Sequence, residues 1–310
     1  MNVLFSIVLP IFALVGAGWL ARYFKVLGPT AAVELNLFVV YLGMPALLFR
    51  IMAKAQWSDL NQPGFIAAFG LGSAAIFVVT VLARRAQGAL LPDASLDGLN
   101  AGYANVGFIG FPLCLAAFGP TSQAPVTITA ILTVCILFGI AVMLVEIGLN
   151  PEGNLFAIGS KVLIKLAKNP MLISPVLGVI YAAAAPPMPE GLNRFVSLLG
   201  DAASPCALVS LGLFIADTSS KPNWRDLSAL VSLKLIGQPA ITWLLARYVF
   251  DLSPLLTGTA VVVAALPTGT GSFMMASLYR RDATATAGSI MASTVFSVVT
   301  ISILVTLFRA

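Results

Sequence analysis

Apolar runs of about 20 residues follow one another along almost the whole 310-residue chain. A helix of about 20 residues rises about 30 Å, which is the thickness of the hydrocarbon core of a bilayer. Only 9% of the residues are charged, whereas a soluble domain carries about 25%. The sequence therefore predicts an all-α polytopic membrane protein, and since no polar stretch exceeds about 20 residues, no separate soluble domain is expected.

Ten transmembrane helices are predicted from these runs and from the breakers that separate them, such as Pro92-Asp93. Their limits are 3–21, 31–53, 63–83, 97–118, 124–149, 169–185, 191–216, 226–250, 254–279 and 283–308. The first run has no basic residue before it and no small-residue cleavage site after it. We therefore expect it to be a retained span and not a cleaved signal peptide.

The basic residues predict the orientation, because cytoplasmic loops of membrane proteins are enriched in Lys and Arg. Eleven of the 17 lie in loops after the odd-numbered spans: Arg22, Lys25, Arg84, Arg85, Lys161, Lys165, Lys168, Lys221, Arg225, Arg280 and Arg281. Five lie on the other side: Arg50, Lys54, Arg194, Arg247 and Arg309. The remaining one, Lys234, falls inside a span. Both termini are therefore expected outside the bacterial cytoplasmic membrane.

The two halves of the chain, 1–150 and 151–310, repeat one another. The matched positions are Pro10 with Pro170 and Pro45 with Pro205 at a spacing of 160, Arg84 with Arg247 at 163, and Pro112 with Pro267 at 155. Each half holds five predicted spans, an odd number, so the second half must enter the membrane from the opposite face. This predicts two inverted five-helix repeats.

Two predicted spans, the fourth and the ninth, are interrupted by residues that disfavour a helix interior. The stretches are Asn105–Pro112, with two glycines and a proline, and Ala265–Phe273, with Pro267 and two glycines. Inside a bilayer a freed backbone group costs several kcal/mol, so broken helices persist where they are buried in protein or line a polar cavity. Paired breaks of this kind are typical of a transporter's substrate site, although a glycine-lined packing face with a kink is the alternative.

The polar groups of these breaks suit an organic anion. The Asn105 amide can donate to a carboxylate, and the hydroxyls of Thr268, Thr270 and Ser272 can share that work. If both helices unwind and cross at mid-membrane, their half-helix N-termini direct partial positive charge at the crossing. Neither break contains an Asp or a Glu.

Few ionisable residues fall inside the predicted spans. Lys234 is either a snorkelling lysine or a charge partner for the anion or for an internal carboxylate. Asp201 and Glu146 are candidate partners or proton sites, and Glu146 lies close enough to the interface for solvation. Histidine is absent, which removes Ser-His and Cys-His catalytic pairs and most zinc sites.

The chain resembles the auxin efflux carrier family, which includes the plant PIN-formed exporters and bacterial permeases described for malate and malonate. The motifs that carry the resemblance are Asn105-x6-Pro112, Asn169-Pro170, Ser210-Leu-Gly-Leu-Phe214 and Ala-Leu-Pro267-x-Gly269-x3-Phe273-x2-Ala276-x2-Tyr279. They run in order, with matching spacing, over nearly the whole chain.

The resemblance implies ten helices in two inverted repeats, similar to bile-acid symporters and sodium–proton antiporters. Helices 1, 2, 6 and 7 would form a scaffold that dimerises, and helices 3–5 and 8–10 a transport domain that moves like an elevator, with helices 4 and 9 crossed. Asn105 would hold the substrate carboxylate, and Lys234 stands where plant members have an arginine. The predicted substrate-binding set is Asn105, Val106, Gly107, Gly110, Pro112, Asn169, Pro267, Thr268, Gly269, Thr270 and Ser272.

The chain departs from the plant pattern at three places. Met171 stands where plant members have a second asparagine, Ser272 stands where they have a second proline, and the long cytoplasmic loop of many plant members is absent. These differences disfavour indole acetate and favour a smaller, more polar acid.

The leading prediction is a secondary transporter for a small organic acid anion, such as a dicarboxylate or an auxin-like carboxylate. Its expected partners are that acid, membrane lipid and a second copy of the chain, with no nucleic acid, metal or other cofactor. The alternatives are a sodium-coupled symporter of the bile-acid type, an intramembrane enzyme, and a sensor or channel. An enzyme is disfavoured by the missing histidine, and no aspartate pair lies within the spans.

Overall fold

The structure is a computed structural model that describes residues 9–54, 61–149, 159–160, 164, 168, 170–184, 188–217, 224–282 and 284–309. Within these ranges the secondary structure is helical, apart from turns and one antiparallel β-bridge. The α-helices are α1 (Leu9–Tyr23), α2 (Ala31–Phe38), α3 (Met44–Lys54), α4 (Pro63–Ala86), α5 (Leu91–Gly102), α6 (Phe111–Phe118), α7 (Gln123–Ile131), α8 (Phe138–Leu149), α9 (Pro170–Ala184), α10 (Glu190–Asp217), α11 (Trp224–Ser232), α12 (Gln238–Leu244), α13 (Pro254–Ala264), α14 (Gly271–Leu278) and α15 (Thr284–Arg309). The π-helical stretches are Val39–Gly43, Val106–Gly110, Leu132–Leu137, Leu233–Gly237 and Leu245–Val249, and Pro120–Ser122 is a short 3-10 helix.

Six helical stretches in the described part of the chain are long and apolar enough to cross a bilayer. They are Ala31–Lys54, Pro63–Ala86, Pro120–Leu149, Glu190–Asp217, Trp224–Val249 and Thr284–Phe308. Shorter apolar helices occupy Val106–Phe118, Ile173–Ala183 and Pro254–Ala264. The all-α prediction is confirmed, and the lengths agree with a polytopic membrane protein. The count of ten spans and the inverted repeat stay predictions.

The start of the fourth predicted span was placed too late. Pro92-Asp93 is predicted to separate two spans, with the fourth span beginning at residue 97, but α5 begins at Leu91 and has Pro92 in its first turn. Proline is tolerated there because the first N–H groups of a helix have no intrahelical acceptor. Asp93 suits the same turn, since a carboxylate is favourable at the positive end of a helix.

The first helix break also lies earlier than predicted. The chain leaves α5 at Gly102, Tyr103 is extended, and helical structure resumes at Val106. Pro112 does not end a helix, because the helical stretch that resumes at Val106 runs through it to Phe118. The second break runs from the end of α13 at Ala264 to the start of α14 at Gly271, within the predicted stretch.

The chain divides into two compact units, each described here by itself. Unit 1 comprises Met1–Gln62, Gly107–Ile128 and Ala167–Ser219, and unit 2 comprises Pro63–Val106, Thr129–Leu166 and Ser220–Ala310. This division does not follow the predicted halves 1–150 and 151–310, because each unit takes segments from both.

In unit 1, α1 packs closely along α10 through two glycines. A Cβ atom at Gly212 would lie 1.9 Å from the Val15 carbonyl oxygen, and one at Gly18 would lie 2.1 Å from the Val209 carbonyl oxygen. Any larger residue would force the helices apart, as in small-residue packing between membrane helices.

In unit 2, α4, α5, α8 and α14 share an apolar core. It contains Phe77 from α4, Leu99 from α5, Val145 from α8 and Met275 from α14. Tyr103, the residue that follows α5, is part of this core. The core therefore anchors the ends of both helix breaks that lie in unit 2.

Candidate functional site

The two unwound segments of unit 2 pair with each other through their backbones. Ala104 and Thr268 form the antiparallel bridge. The Asn105 N–H donates to the Pro267 carbonyl at 2.9 Å, and the Gly269 N–H donates to the Tyr103 carbonyl at 2.9 Å. The backbone N–H and C=O groups freed in one segment are thus hydrogen-bonded to the other segment. This pairing offsets the free-energy cost of unwinding a helix in an apolar interior.

Two side chains from one helical stretch cap the carbonyl ends of both broken helices. Lys234 Nζ donates to the Ala264 carbonyl, at the end of α13, at 2.6 Å. Gln238 Nε2 donates to the Gly102 carbonyl, at the end of α5, at 3.1 Å. Lys234 Nζ also donates to Gln238 Oε1 at 2.7 Å, so the two caps form one network.

This capping network is completely buried. Lys234 and Gln238 are both 0% exposed, and Gln238 Nε2 also donates to Ser73 Oγ in α4 at 2.9 Å. The snorkelling interpretation of Lys234 is therefore wrong, because its amine points into the protein and binds a helix end.

The hydroxyls of the second break mostly hold the backbone in place. Thr268 Oγ1 donates to the Asn100 carbonyl at 2.7 Å, and Ser272 Oγ donates to the Gly269 carbonyl at 3.1 Å. The predicted role of these hydroxyls as donors to a substrate is not supported, since their protons already serve backbone acceptors. Thr270 is half-buried at the end of the break.

Tyr103 covers the glycines of the second break. A Cβ atom at Gly271 would lie 2.6 Å from the Tyr103 hydroxyl oxygen, and one at Gly269 would lie 2.6 Å from its ring. The ring also packs against Phe138, with centroids 6.1 Å apart. Glycine at these two positions is therefore needed so that the tyrosine ring can lie against the unwound backbone.

The other predicted site residues are distributed as follows. Asn105 and Val106 are buried in unit 2 next to the bridge. Gly107, Gly110 and Pro112 belong to unit 1, in the π-helical stretch and in α6. Asn169 lies outside the described residues.

Neither predicted carboxylate partner binds Lys234, whose two hydrogen-bond acceptors are a neutral amide and a backbone carbonyl. Asp201 lies in unit 1, where its mostly exposed carboxylate pairs with Arg50 at 2.9 Å. Glu146 accepts a hydrogen bond from the Tyr279 hydroxyl at 2.7 Å. The roles of Asp201 and Glu146 as proton sites stay untested predictions.

Four buried polar residues near the breaks are absent from the predicted site: Gln238, Ser73, Asp97 and Asn100. A signal was present for Gln238, because it lies four residues after Lys234 and therefore on the same face of that helical stretch. Asp97 and Asn100 show the same kind of spacing in α5. Asp97 was overlooked because the predicted span began at that residue, where a carboxylate usually faces water.

Comparisons with known proteins identify a family for the chain. The chain matches the model of a family described as "Membrane transport protein" over residues 3–305. It is 29% identical over 314 residues to a protein of Rhizobium meliloti (strain 1021) named "Putative malonate transporter", an alignment that covers 98% of this chain and 96% of the relative.

More distant relatives cover most of their own length as well. An uncharacterized transporter of Methanocaldococcus jannaschii is 25% identical over 315 residues, with 96% of each chain covered. Auxin efflux carrier component 8 of Arabidopsis thaliana is 24% identical over 331 residues, covering 88% of this chain and 89% of the relative.

Proposed function

The chain belongs to the membrane transport protein family, the auxin efflux carrier family that its motifs resemble, and from that premise we propose that it carries a small organic acid anion across the bacterial cytoplasmic membrane. The family makes the protein a transporter and not an enzyme. The substrate class, the site and the mechanism given below are proposals.

The observation that carries the proposed site is the pairing of the two unwound segments. Asn105 sits beside the bridge, with its N–H bonded to Pro267 and 4% of its surface exposed. Irregular backbone at membrane depth is found where it is buried in protein or lines a cavity, and paired breaks of this kind are typical of transporter substrate sites. We place the substrate carboxylate at Asn105, because an amide N–H group is a good donor to a carboxylate.

The ionisable group nearest the crossing suits an anion better than a cation. It is the Lys234 amine of the capping network, which donates to the carbonyl end of α13 at 2.6 Å. Neither unwound segment contains an Asp or a Glu. When this amine carries a proton, it attracts an anion bound at Asn105 and repels a cation there.

A dicarboxylate such as malonate is the first substrate to test, and an auxin-like monocarboxylate is the second. The support for a dicarboxylate is the name of the Rhizobium meliloti relative, which aligns over nearly all of both chains. The hydroxyls of the second break no longer support a polar acid, because Thr268 and Ser272 donate to backbone carbonyls.

We propose elevator-type alternating access on ten helices arranged as two inverted repeats, with helices 4 and 9 crossed, both termini outside, and a homodimer formed through the scaffold. The division into compact units supports part of this proposal. Unit 2 contains predicted helices 3, 8, 9 and 10 and the first part of helix 4, and unit 1 contains helices 1, 2, 6 and 7. Residues 107–128 fall in unit 1, although the proposal assigns them to the moving domain.

The experiment is uptake of radiolabelled malonate into proteoliposomes, with malate and indole acetate as competitors. Asn105→Ala is expected to reduce uptake to the background of empty liposomes while the protein still inserts and keeps its Tm. Asn36→Ala, a half-buried asparagine of α2, is the matched control and should transport normally. Full uptake by a well-inserted Asn105→Ala protein would remove Asn105 from the site. A strict sodium requirement would favour the bile-acid-type alternative.

A further inference from the structure

A cavity of about 470 Å³ lies in unit 1, where α1 ends beside the last residues of α10. Its charged lining residues are two cations, Arg22 and Lys25, and one carboxylate, Asp217. These three charges sum to +1. Trp19 and Tyr23 also line it. The cavity therefore combines a small excess of positive charge with two aromatic rings.

The aromatic rings indicate a position at the membrane surface. The first predicted span ends at residue 21, one residue before Arg22. The rings of Trp19 and Tyr23 are stacked, with centroids 5.2 Å apart and an interplanar angle of 11°. Trp and Tyr are enriched at the level of the lipid head groups, because each combines an apolar ring with a polar atom. We therefore expect the cavity to open at that level.

The turn that follows α1 exposes large apolar side chains on both sides of Lys25. Tyr23, Phe24 and Val26 are 65%, 68% and 76% exposed. A cluster of exposed apolar residues marks a contact with a protein or a membrane. Beside the end of a span, the boundary between head groups and acyl chains is the environment that covers such residues. The surroundings of the cavity thus favour a lipid over a small soluble ligand.

Lys25 has a backbone conformation that lysine rarely adopts. Its φ is 58°, in the left-handed region that glycine enters without steric cost. The Lys25 N–H donates to the Arg22 carbonyl at 3.0 Å, and the Val26 N–H donates to the Ala21 carbonyl at 2.8 Å. This is the helix ending that glycine usually closes. A lysine at this position indicates a role for its side chain that outweighs the strain in its backbone.

Both cations have donor groups available for a ligand. Arg22 Nε donates to Asp217 Oδ1 at 2.5 Å, which ties α1 to α10 and uses one of the five N–H groups of the guanidinium. Within the part of the chain that the structure describes, Lys25 forms no ion pair. The amine of Lys25 therefore supplies the charge that Asp217 does not balance.

The charge and the surroundings of the cavity suit the head group of an anionic phospholipid. A phosphate diester carries one negative charge, which balances the net charge of +1. Arg binds phosphate through its planar fork of N–H groups, and Lys binds it as a point charge. Basic pockets between membrane helices are known to hold phospholipid head groups. Free inorganic phosphate offers the same oxygens but would leave the exposed apolar residues uncovered.

We propose that this cavity binds phosphatidylglycerol, with the phosphate at Lys25 and Arg22 and the acyl chains against the apolar residues around them. The head group has a net charge of −1, and its glycerol hydroxyls can donate to Asp217 Oδ2. The site does not rest on the proposed carrier function, because it lies in unit 1 and Asn105 lies in unit 2.

The test is a thermal-shift titration of the detergent-purified full chain with phosphatidylglycerol, without any organic acid. Matched titrations use phosphatidylcholine with the same acyl chains, phosphatidylethanolamine with the same chains, and inorganic phosphate. Phosphatidylglycerol is expected to raise the Tm along a saturating curve that none of the other three reproduces. An equal rise with any of them, or no rise at all, overturns the proposal. Because no organic acid is present, these outcomes leave the proposed carrier function untouched.

Three variants locate the site. Lys25→Gly removes the amine and suits the left-handed backbone, so the protein should fold, but the half-saturating phosphatidylglycerol concentration should rise about fivefold, the scale of one basic residue at a membrane surface. Lys25→Arg keeps a cation and should retain the wild-type titration. Arg280→Gly makes the same change at a second residue with a left-handed backbone, φ 50° in unit 2, and should leave the titration unchanged. Equal curves for the wild type and Lys25→Gly, or equal losses in Lys25→Gly and Arg280→Gly, overturn the assignment.

A second copy of the chain is the other candidate occupant of this exposed surface. Native mass spectrometry counts the chains and the bound lipids of each particle in one measurement. Near the half-saturating concentration of the wild type, Lys25→Gly should hold less phosphatidylglycerol per chain while the number of chains stays the same. A changed number of chains with an unchanged lipid count would assign the surface to a contact between copies and overturn the lipid site.

Discussion

The ends of α5 and α13 meet the same pair of side chains, yet they are capped by different chemistry. The Ala264 carbonyl binds an amine at 2.6 Å, whereas the Gly102 carbonyl binds a neutral amide at 3.1 Å. Both caps come from one helical stretch, Leu233–Leu244, that belongs to neither broken helix. Two similar helix breaks can therefore differ in the chemical group that binds their carbonyl ends, because those groups come from a third helix.

The two breaks also differ in length and in the contacts that stabilise the unwound backbone. Three residues separate α5 from the helical structure that resumes at Val106, and six separate α13 from α14. The longer break has its own hydroxyl, Ser272, which bonds to the Gly269 carbonyl. The shorter break relies on Gln238, the bridge and Tyr103. Four substitutions at three residues test these differences.

Lys234→Met is expected to have the largest effect. It removes the amine and leaves the Ala264 carbonyl and Gln238 Oε1 without their donor. Each buried acceptor left without a donor costs about 1–3 kcal/mol, so the Tm should fall clearly and organic acid uptake should be lost. Lys54→Met, at an exposed lysine of α3, is the control and should change neither quantity.

Lys234→Arg separates the effect of charge from the effect of side-chain fit, because a guanidinium keeps a cationic donor at the end of α13. It should retain more uptake than Lys234→Met. Equal losses in the two variants would show that the fit of the lysine side chain, and not its charge, decides the effect.

Gln238→Leu should have a smaller effect, because the lost donor is neutral. The Gly102 carbonyl and Ser73 Oγ both lose a partner, and the Lys234 amine loses one acceptor but keeps its bond to Ala264. A neutral buried bond of this kind is worth about 1–2 kcal/mol. The Tm should fall by less than in Lys234→Met, with Gln87→Leu at an exposed site as the control. A Tm loss greater than that of Lys234→Met would contradict the distinction between the two caps.

Ser272→Ala should have the smallest effect of the three. It removes the bond between Ser272 Oγ and the Gly269 carbonyl, which is worth about 1 kcal/mol. Ser228→Ala is matched to it, since Ser228 Oγ donates to the carbonyl three residues earlier at 2.9 Å on an exposed surface. If the two variants lower the Tm equally, the second break does not depend on its own hydroxyl.

The second break could be predicted closely because its signals are local. Pro267 and the glycines on either side of it oppose a helix at the positions where the chain unwinds. The first break lies earlier than predicted because Pro112 was interpreted as the interruption, although the helix that begins at Val106 continues through it. Pro92 gave a span boundary that was too late for a different reason, since proline in the first turn of a helix removes no hydrogen bond.

The caps could not be assigned from the sequence because their partners are far away along the chain. Gln238 binds Ser73 and Gly102, which are 165 and 136 residues distant. Nothing in the local pattern distinguishes a glutamine that faces lipid headgroups from one that closes a helix end. The same holds for Asn100 and Thr286, which are 186 residues apart.

The helical, membrane-spanning character of the chain and the interruption of two of its helices could be predicted from local sequence. The first follows from the length of the apolar runs, and the second from the backbone preferences of proline and glycine. The tertiary structure alone decided that Ala104 pairs with Thr268 and that Lys234 and Gln238 close the helix ends. A freed backbone group in an apolar interior must find a partner, but which partner it finds depends on how distant helices pack.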